Sequence, residues 1–237
     1  MPTIKKRGTA AKKQPEQEIL TIAHHVSAFA SSYKKQLTIA ASSLVVILVI
    51  IAGYSFMKSM EEQKAAPLVD AAYEYYSPAA GSKVDYDKAL SLYREVQNKY
   101  PGTMSGAIAQ YYIGNCLVNL NRPDEALKEY QASITKYPND KLLLGLVYQR
   151  MGYVYASLGK EADAVKSFEQ SESLLGPGTS TVELARFYEA SGNISEAQKK
   201  YKTIADKLAG TTWGMEAMGK VQKIEPAPNP PSGKERK

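Results

Sequence analysis

The sequence predicts an all-α protein: a single transmembrane helix, then an α-solenoid of about three and a half helix-turn-helix repeats, then a capping helix. Two observations carry this reading. Residues 37–57 read LTIAASSLVVILVIIAGYSFM, without a charge. Beyond them, NKYPG at Asn98–Gly102 returns thirty-seven residues later as TKYPN at Thr135–Asn139. The boundaries that follow are a basic leader at 1–36, the span at 37–57, an irregular first repeat at 58–106, repeats at 107–211, a cap at 212–224 and a Pro-rich, charged tail at 225–237, expected to be disordered.

At a rise of about 1.5 Å per residue the apolar run is roughly 31 Å long, the thickness of a bilayer's hydrocarbon core. Lys34 and Lys35 flank one end and Lys58 the other, and Tyr54 and Phe56 stand where interfacial aromatics belong. The apolar core of a cleaved signal peptide is about 7–15 residues behind a short leader, so this segment reads as an uncleaved anchor. Orientation follows from basic residues. Residues 1–36 hold seven Lys/Arg against Glu16 and Glu18, while Lys58 and Lys64 beyond the span are accompanied by Glu61 and Glu62. The expectation is a cytoplasmic N-terminus, with everything after Met57 on the far side, the periplasm in a bacterium. Within the leader, Ile19, Ile22, Val26, Phe29 and Tyr33 recur at helical spacing beside Ala23 and Ala30, which suggests an amphipathic helix or a simple extension of the anchor.

The repeat continues along the chain. At the thirty-seven-residue offset Ala89 matches Ala126, Tyr93 matches Tyr130 and Pro101 matches Pro138; Ala164 with Phe168, and Ala197 with Tyr201, carry it on. These residues resemble tetratricopeptide (TPR) repeats, in which W-x2-L-G-x2-Y, then A-x3-F, then P recur over about 34 residues. Residues 107–140 supply Ile113, Gly114, Leu117, Ala126, Tyr130 and Pro138, with Gln110 in place of the first aromatic. Residues 145–178 supply Tyr148, Met151, Gly152, Tyr155, Ala164 and Phe168, and residues 178–211 supply Leu184, Ala185, Tyr188, Ala197 and Tyr201. Small residues let paired helices approach, and the aromatics fill the space to the next repeat. Turn signals separate the helices at Asn121–Asp124, Gly159-Lys160 and Gly192-Asn193. The loop SPAAGSKVD breaks this register in the first repeat, whose helices are expected near Glu61–Tyr76 and Tyr86–Lys99.

Composition argues against chemistry. The chain's net charge of +6 is concentrated in the leader, so the main domain shows no basic face for nucleic acid. Cys116 is the only cysteine, which excludes an intramolecular disulfide and a Cys-based zinc site, and its apolar surroundings suggest inert packing. Both histidines, His24 and His25, lie in the leader, so neither a His-based triad nor a His-based metal centre can form in the repeats. Gly214, Gly219 and Lys220 match a phosphate-loop spacing, but Val221 follows instead of Ser/Thr and no strand precedes it. Asn193-Ile194-Ser195 fits a glycosylation acceptor and equally a helix cap. The chain is read as a non-enzyme with no cofactor, no metal and no catalytic residue.

The TPR resemblance implies a concave groove lined by the first helix of each repeat. Carried onto this chain, its candidate protein-binding residues are Tyr111, Asn115, Asn119, Gln149, Tyr153 and Arg186. TPR domains that grip a terminal carboxylate of heat-shock chaperones carry Lys where Tyr111 stands, so that ligand is not expected here. A groove of Tyr, Asn, Gln and aliphatics suits extended polypeptide, held weakly and with little demand on its sequence. The whole plan resembles the bacterial inner-membrane TPR family that accompanies the Sec translocon and acts as a periplasmic chaperone. This resemblance implies translocon subunits and non-native exported polypeptides as partners, and membrane attachment through Leu37–Met57. The alternative is a scaffold for an envelope assembly that builds cell wall, secretes proteins or assembles the outer membrane.

Overall fold

The computed structural model describes residues 24–224, apart from 26, 30 and 81. The leader positions Ile19, Ile22, Ala23, Val26 and Ala30 and the tail at 225–237 lie outside the described residues. The helices are α1 (Lys34–Tyr76), α2 (Tyr86–Lys99), α3 (Met104–Asn119), α4 (Pro123–Lys136), α5 (Lys141–Ser157), α6 (Glu161–Leu175), α7 (Thr179–Ala190), α8 (Ile194–Lys207) and α9 (Thr212–Ile224). No described residue lies in a strand. The fold is the all-helical solenoid with a long apolar N-terminal helix that the sequence predicts.

Contacts divide the chain into two units that meet at Met57 and Lys58. In the first, the α1 residues hold a stretch of mean hydropathy 2.4, none of it buried, long and apolar enough to cross a membrane. In the second, Ala65, Val69 and Ala72 of α1 recur on one face and enter the solenoid core. Pro67 lies inside the same helix without ending it. Glu62 fastens this segment to the start of α3, accepting from the Ser105 N–H at 3.1 Å and from Ser105 Oγ at 2.5 Å. A carboxylate there also meets the positive end of the α3 dipole.

From α3 onward the helices pair. α3 packs on α4, α5 on α6 and α7 on α8, while α3 also touches α5, so first helices of adjacent repeats lie side by side. Caps begin several of them: Asp85 accepts from Lys88 N–H, Thr103 from Gly106 N–H and Asp140 from Leu143 N–H. Within each repeat the turn has one residue with a left-handed backbone at the same place, Asn121 (φ 59°), Gly159 (φ 70°) and Gly192 (φ 77°).

In the first two of these pairs a glycine on the first helix lies against an aromatic ring on the second. A Cβ on Gly114 would overlap the Tyr130 ring, and one on Gly152 would lie 2.6 Å from Phe168 Cε1. Ala126, Ala164 and Ala197 are wholly buried, as are Tyr130 and Phe168. Gln110 is 1% exposed where the repeat pattern has its first aromatic. Its amide nitrogen donates to Glu129 Oε2 at 2.5 Å and its oxygen accepts from Lys136 Nζ at 3.2 Å, so a polar triad fills the missing ring's place. Cys116 is fully buried, and burial pushes its thiol up to about 12, which keeps it protonated and unreactive.

Hydroxyls on the ring position divide by neighbour. Tyr130 donates to Asn115 Oδ1 at 2.6 Å and Tyr201 to Glu189 Oε2 at 2.6 Å. The equivalent Tyr93 is fully buried, stacks on Tyr112 at 5.1 Å, and its hydroxyl has no partner among the described residues. Tyr130→Phe is therefore expected to destabilise the protein by about 1 kcal/mol, whereas Tyr93→Phe is neutral or stabilising, because it removes a buried polar atom that is not bonded. Chemical denaturation of both variants checks this; equal losses would show that Tyr93 is bonded after all.

Candidate protein-binding groove

The first helices α3 and α5 are apolar around most of their circumference, and each packs against its own second helix and against the other. Between α3 and α5 this leaves a cavity of about 250 Å³ lined by Tyr76, Asn115, Val118, Asn119, Tyr130, Arg150, Tyr153, Val154 and Ser157. The lining joins apolar walls to amide, hydroxyl and guanidinium groups. Burial raises the pKa of Tyr76, Tyr130 and Tyr153, so these phenols stay neutral hydrogen-bonding groups.

Of the residues expected to line a groove, the structure brings three to this cavity. Asn115 is 4% exposed and accepts from Tyr130, so it is also a fastening of the repeat. Asn119 is exposed, and its Nδ2 donates to the Asn115 carbonyl at 2.9 Å. Tyr153 is half-buried, with its ring edge-to-face on Phe168 at 5.1 Å and its hydroxyl in a long contact with Glu183 at 3.5 Å. The other three stand elsewhere. Tyr111 is half-buried, and its hydroxyl accepts from Arg150 Nε at 3.1 Å. Gln149 bridges to the next repeat, donating to Ser180 Oγ at 3.4 Å. Arg186 is exposed and paired with Glu183 at 3.2 Å and with Glu216 at 3.9 Å.

Tyr76 and Arg150 are among the lining residues that the positional rule does not supply. Tyr76 comes from α1, where the loop before α2 breaks the repeat register, so no position could be assigned to it. Arg150 follows the groove position Gln149 by one residue, a rotation of about 100°. It reaches the cavity because Tyr111 across the α3–α5 contact holds its guanidinium. The cavity consequently carries a charge. Its one ionised lining residue is a cation. Among the described residues no group of three or more His, Cys, Asp or Glu could hold a metal ion.

The model of the Tetratricopeptide repeat-like domain family matches residues 28–222. The chain belongs to that family. Solved structures share its fold at low identity. A tetratricopeptide repeat protein from Parabacteroides merdae superposes with a TM-score of 0.55 at 13% identity, covering 68% of this chain and 60% of that one. This chain thus spans less than two thirds of that relative's length. The nearly identical TPR-like repeats of a putative kinesin light chain from Podosopora anserina superpose with a TM-score of 0.53 at 15% identity, covering 69% of this chain and 85% of that one. No curated protein matches the sequence. The family is that of a protein-interaction module.

Packing separates groove from core in a measurable way. Phe168→Ala empties a fully buried site and is expected to cost about 3–5 kcal/mol. Tyr153→Ala removes a half-buried ring that meets Phe168 edge-on and is expected to cost about 1–2 kcal/mol. Thermal melts of the two variants distinguish them; an equal loss would place Tyr153 in the core and remove it from the groove.

Proposed function

We propose that the chain is a membrane-anchored, extracytoplasmic TPR module that holds non-native exported polypeptides beside a protein-translocation pore. The observation that carries this is the cavity between α3 and α5, whose lining mixes aromatic rings, valines and amide groups. Such a surface accepts apolar side chains and satisfies backbone groups of an extended chain without reading a defined sequence. The near balance of charge beyond the span and the apolar run at Leu37–Met57 support the same reading. Tethering raises the local concentration of the module beside an emerging chain, so weak contacts, with dissociation constants of about micromolar order, suffice there.

The basic leader supports a cytoplasmic N-terminus with the repeats in the periplasm. Alkaline phosphatase fused after Lys237 is expected to be active; a silent phosphatase with a fluorescent cytoplasmic reporter would reverse the orientation.

A second reading, a scaffold for one fixed envelope assembly, is favoured by the last helix. Met215 and Met218 of α9, three residues apart on one helix face, are 63% and 52% exposed, an apolar surface that a permanent partner would cover. The full chain in detergent micelles separates the two. It is expected to slow the aggregation of a chemically unfolded protein, and Tyr153→Ala is expected to weaken that protection several-fold. No protection, combined with tight capture of a single folded envelope protein, would establish the scaffold instead.

A further inference from the structure

The groove cavity contains two hydrogen-bond donors that the protein leaves without an acceptor. Asn115 is 4% exposed, and its Oδ1 is taken by the Tyr130 hydroxyl at 2.6 Å. Its amide nitrogen donates to none of the described residues, although the side chain lines the cavity. The second donor is Arg150. Its Nε donates to the Tyr111 hydroxyl at 3.1 Å, which orients the guanidinium and leaves its terminal nitrogens unengaged. The other described arginines each have a carboxylate within reach: Arg94 has Glu129 at 4.0 Å, Arg122 has Glu125 at 2.7 Å and Arg186 has Glu183 at 3.2 Å. Arg150 has none among the described residues.

The Asn115 nitrogen is open to the cavity and can donate there, and a guanidinium is satisfied best by a planar pair of anionic oxygens. Both donors face one space of about 250 Å³. We infer that this cavity receives the carboxylate of an acidic side chain from an extended polypeptide, with Arg150 and Asn115 as its donors. This rests on the proposed reading of the groove as a polypeptide-binding surface, and specifies the chemistry that surface selects. Val118, Val154 and the Tyr76 ring provide apolar wall for the methylene stem of a Glu or Asp. Asn119 Oδ1 is engaged by no described residue and can accept a backbone N–H as the chain passes. The carboxylate that Tyr153 touches, Glu183, is already paired with Arg186, which limits its repulsion of a bound anion. The preference is for acidic segments within a chain, not for one sequence.

The test uses the full chain in detergent micelles and fluorescent peptides of extended, mostly apolar sequence. One peptide carries a central Glu and its twin a Gln, and each is made with a free and an amidated C-terminus. The Glu peptide is expected to bind at least about tenfold more tightly than the Gln peptide, whether or not the terminus is amidated. Arg150→Gln should remove that preference while leaving the helical circular dichroism and melting intact, because Arg150 is exposed. Asn115→Asp should remove it too: the oxygen that accepts from Tyr130 is kept, while the donor becomes a charge that repels the ligand. Equal binding of the Glu and Gln peptides, or a preference that survives Arg150→Gln, overturns the carboxylate site and leaves polypeptide binding standing. Loss of binding on amidation, with no effect of Glu→Gln, would show that the site takes a chain terminus and overturn the side-chain assignment. If neither peptide binds, the polypeptide-binding reading fails together with the site.

Discussion

Close approach of the two helices within a repeat is the constraint on which the rest of the molecule depends. At Gly114 and Gly152 the first helix offers bare backbone to the ring of Tyr130 or Phe168, and a single added carbon would collide with it. That distance sets where the first helix presents its other face, and hence where Asn115, Asn119 and Tyr153 stand. The rings carry part of the site as well as the core. Tyr130 is fully buried, yet its hydroxyl holds Asn115 with the amide oxygen turned inward and the nitrogen turned to the cavity. One hydrogen bond therefore fastens a repeat and aims a groove donor.

Much of the fold is legible in the sequence because its determinants are local and repeated. Ala126 with Tyr130, Ala164 with Phe168 and Ala197 with Tyr201 encode second helices at a spacing that no chance pattern sustains over three repeats. The turns at Asn121, Gly159 and Gly192 require a left-handed backbone that Asn and Gly supply most cheaply. The candidate site is less legible because it depends on contacts between repeats. Arg150 enters the cavity through a hydroxyl thirty-nine residues earlier, and Tyr76 comes from a helix outside the repeat register. Gln149 holds a groove position by spacing but is drawn to Ser180. Position within a repeat predicts which way a Cα–Cβ bond points, not which neighbour claims the side chain.

The polar groups in the core follow the same logic of satisfaction. Gln110 replaces an aromatic and survives because Glu129 and Lys136 complete its hydrogen bonds. Glu189 accepts from Tyr201 at 2.6 Å and from Lys220 at 2.7 Å, joining α7, α8 and the capping helix. Set against these closed networks, the open donors of Asn115 and Arg150 are the groups that the proposed carboxylate would engage. The same comparison separates the groove from the ion pairs of the surface, such as Lys99 with Glu95, which are exposed and worth little.

The central claim is that the face containing Asn119, rather than the outer helices, holds passing polypeptide. Site-specific photocrosslinking in living cells tests it most directly, with the photoreactive residue placed at Asn119 or at Lys166 on α6 of the full chain. The account predicts adducts with many newly exported chains from Asn119 and few from Lys166, and their loss when synthesis is halted. Equal adducts from both positions, or a single adduct at Asn119 that persists without synthesis, would contradict it.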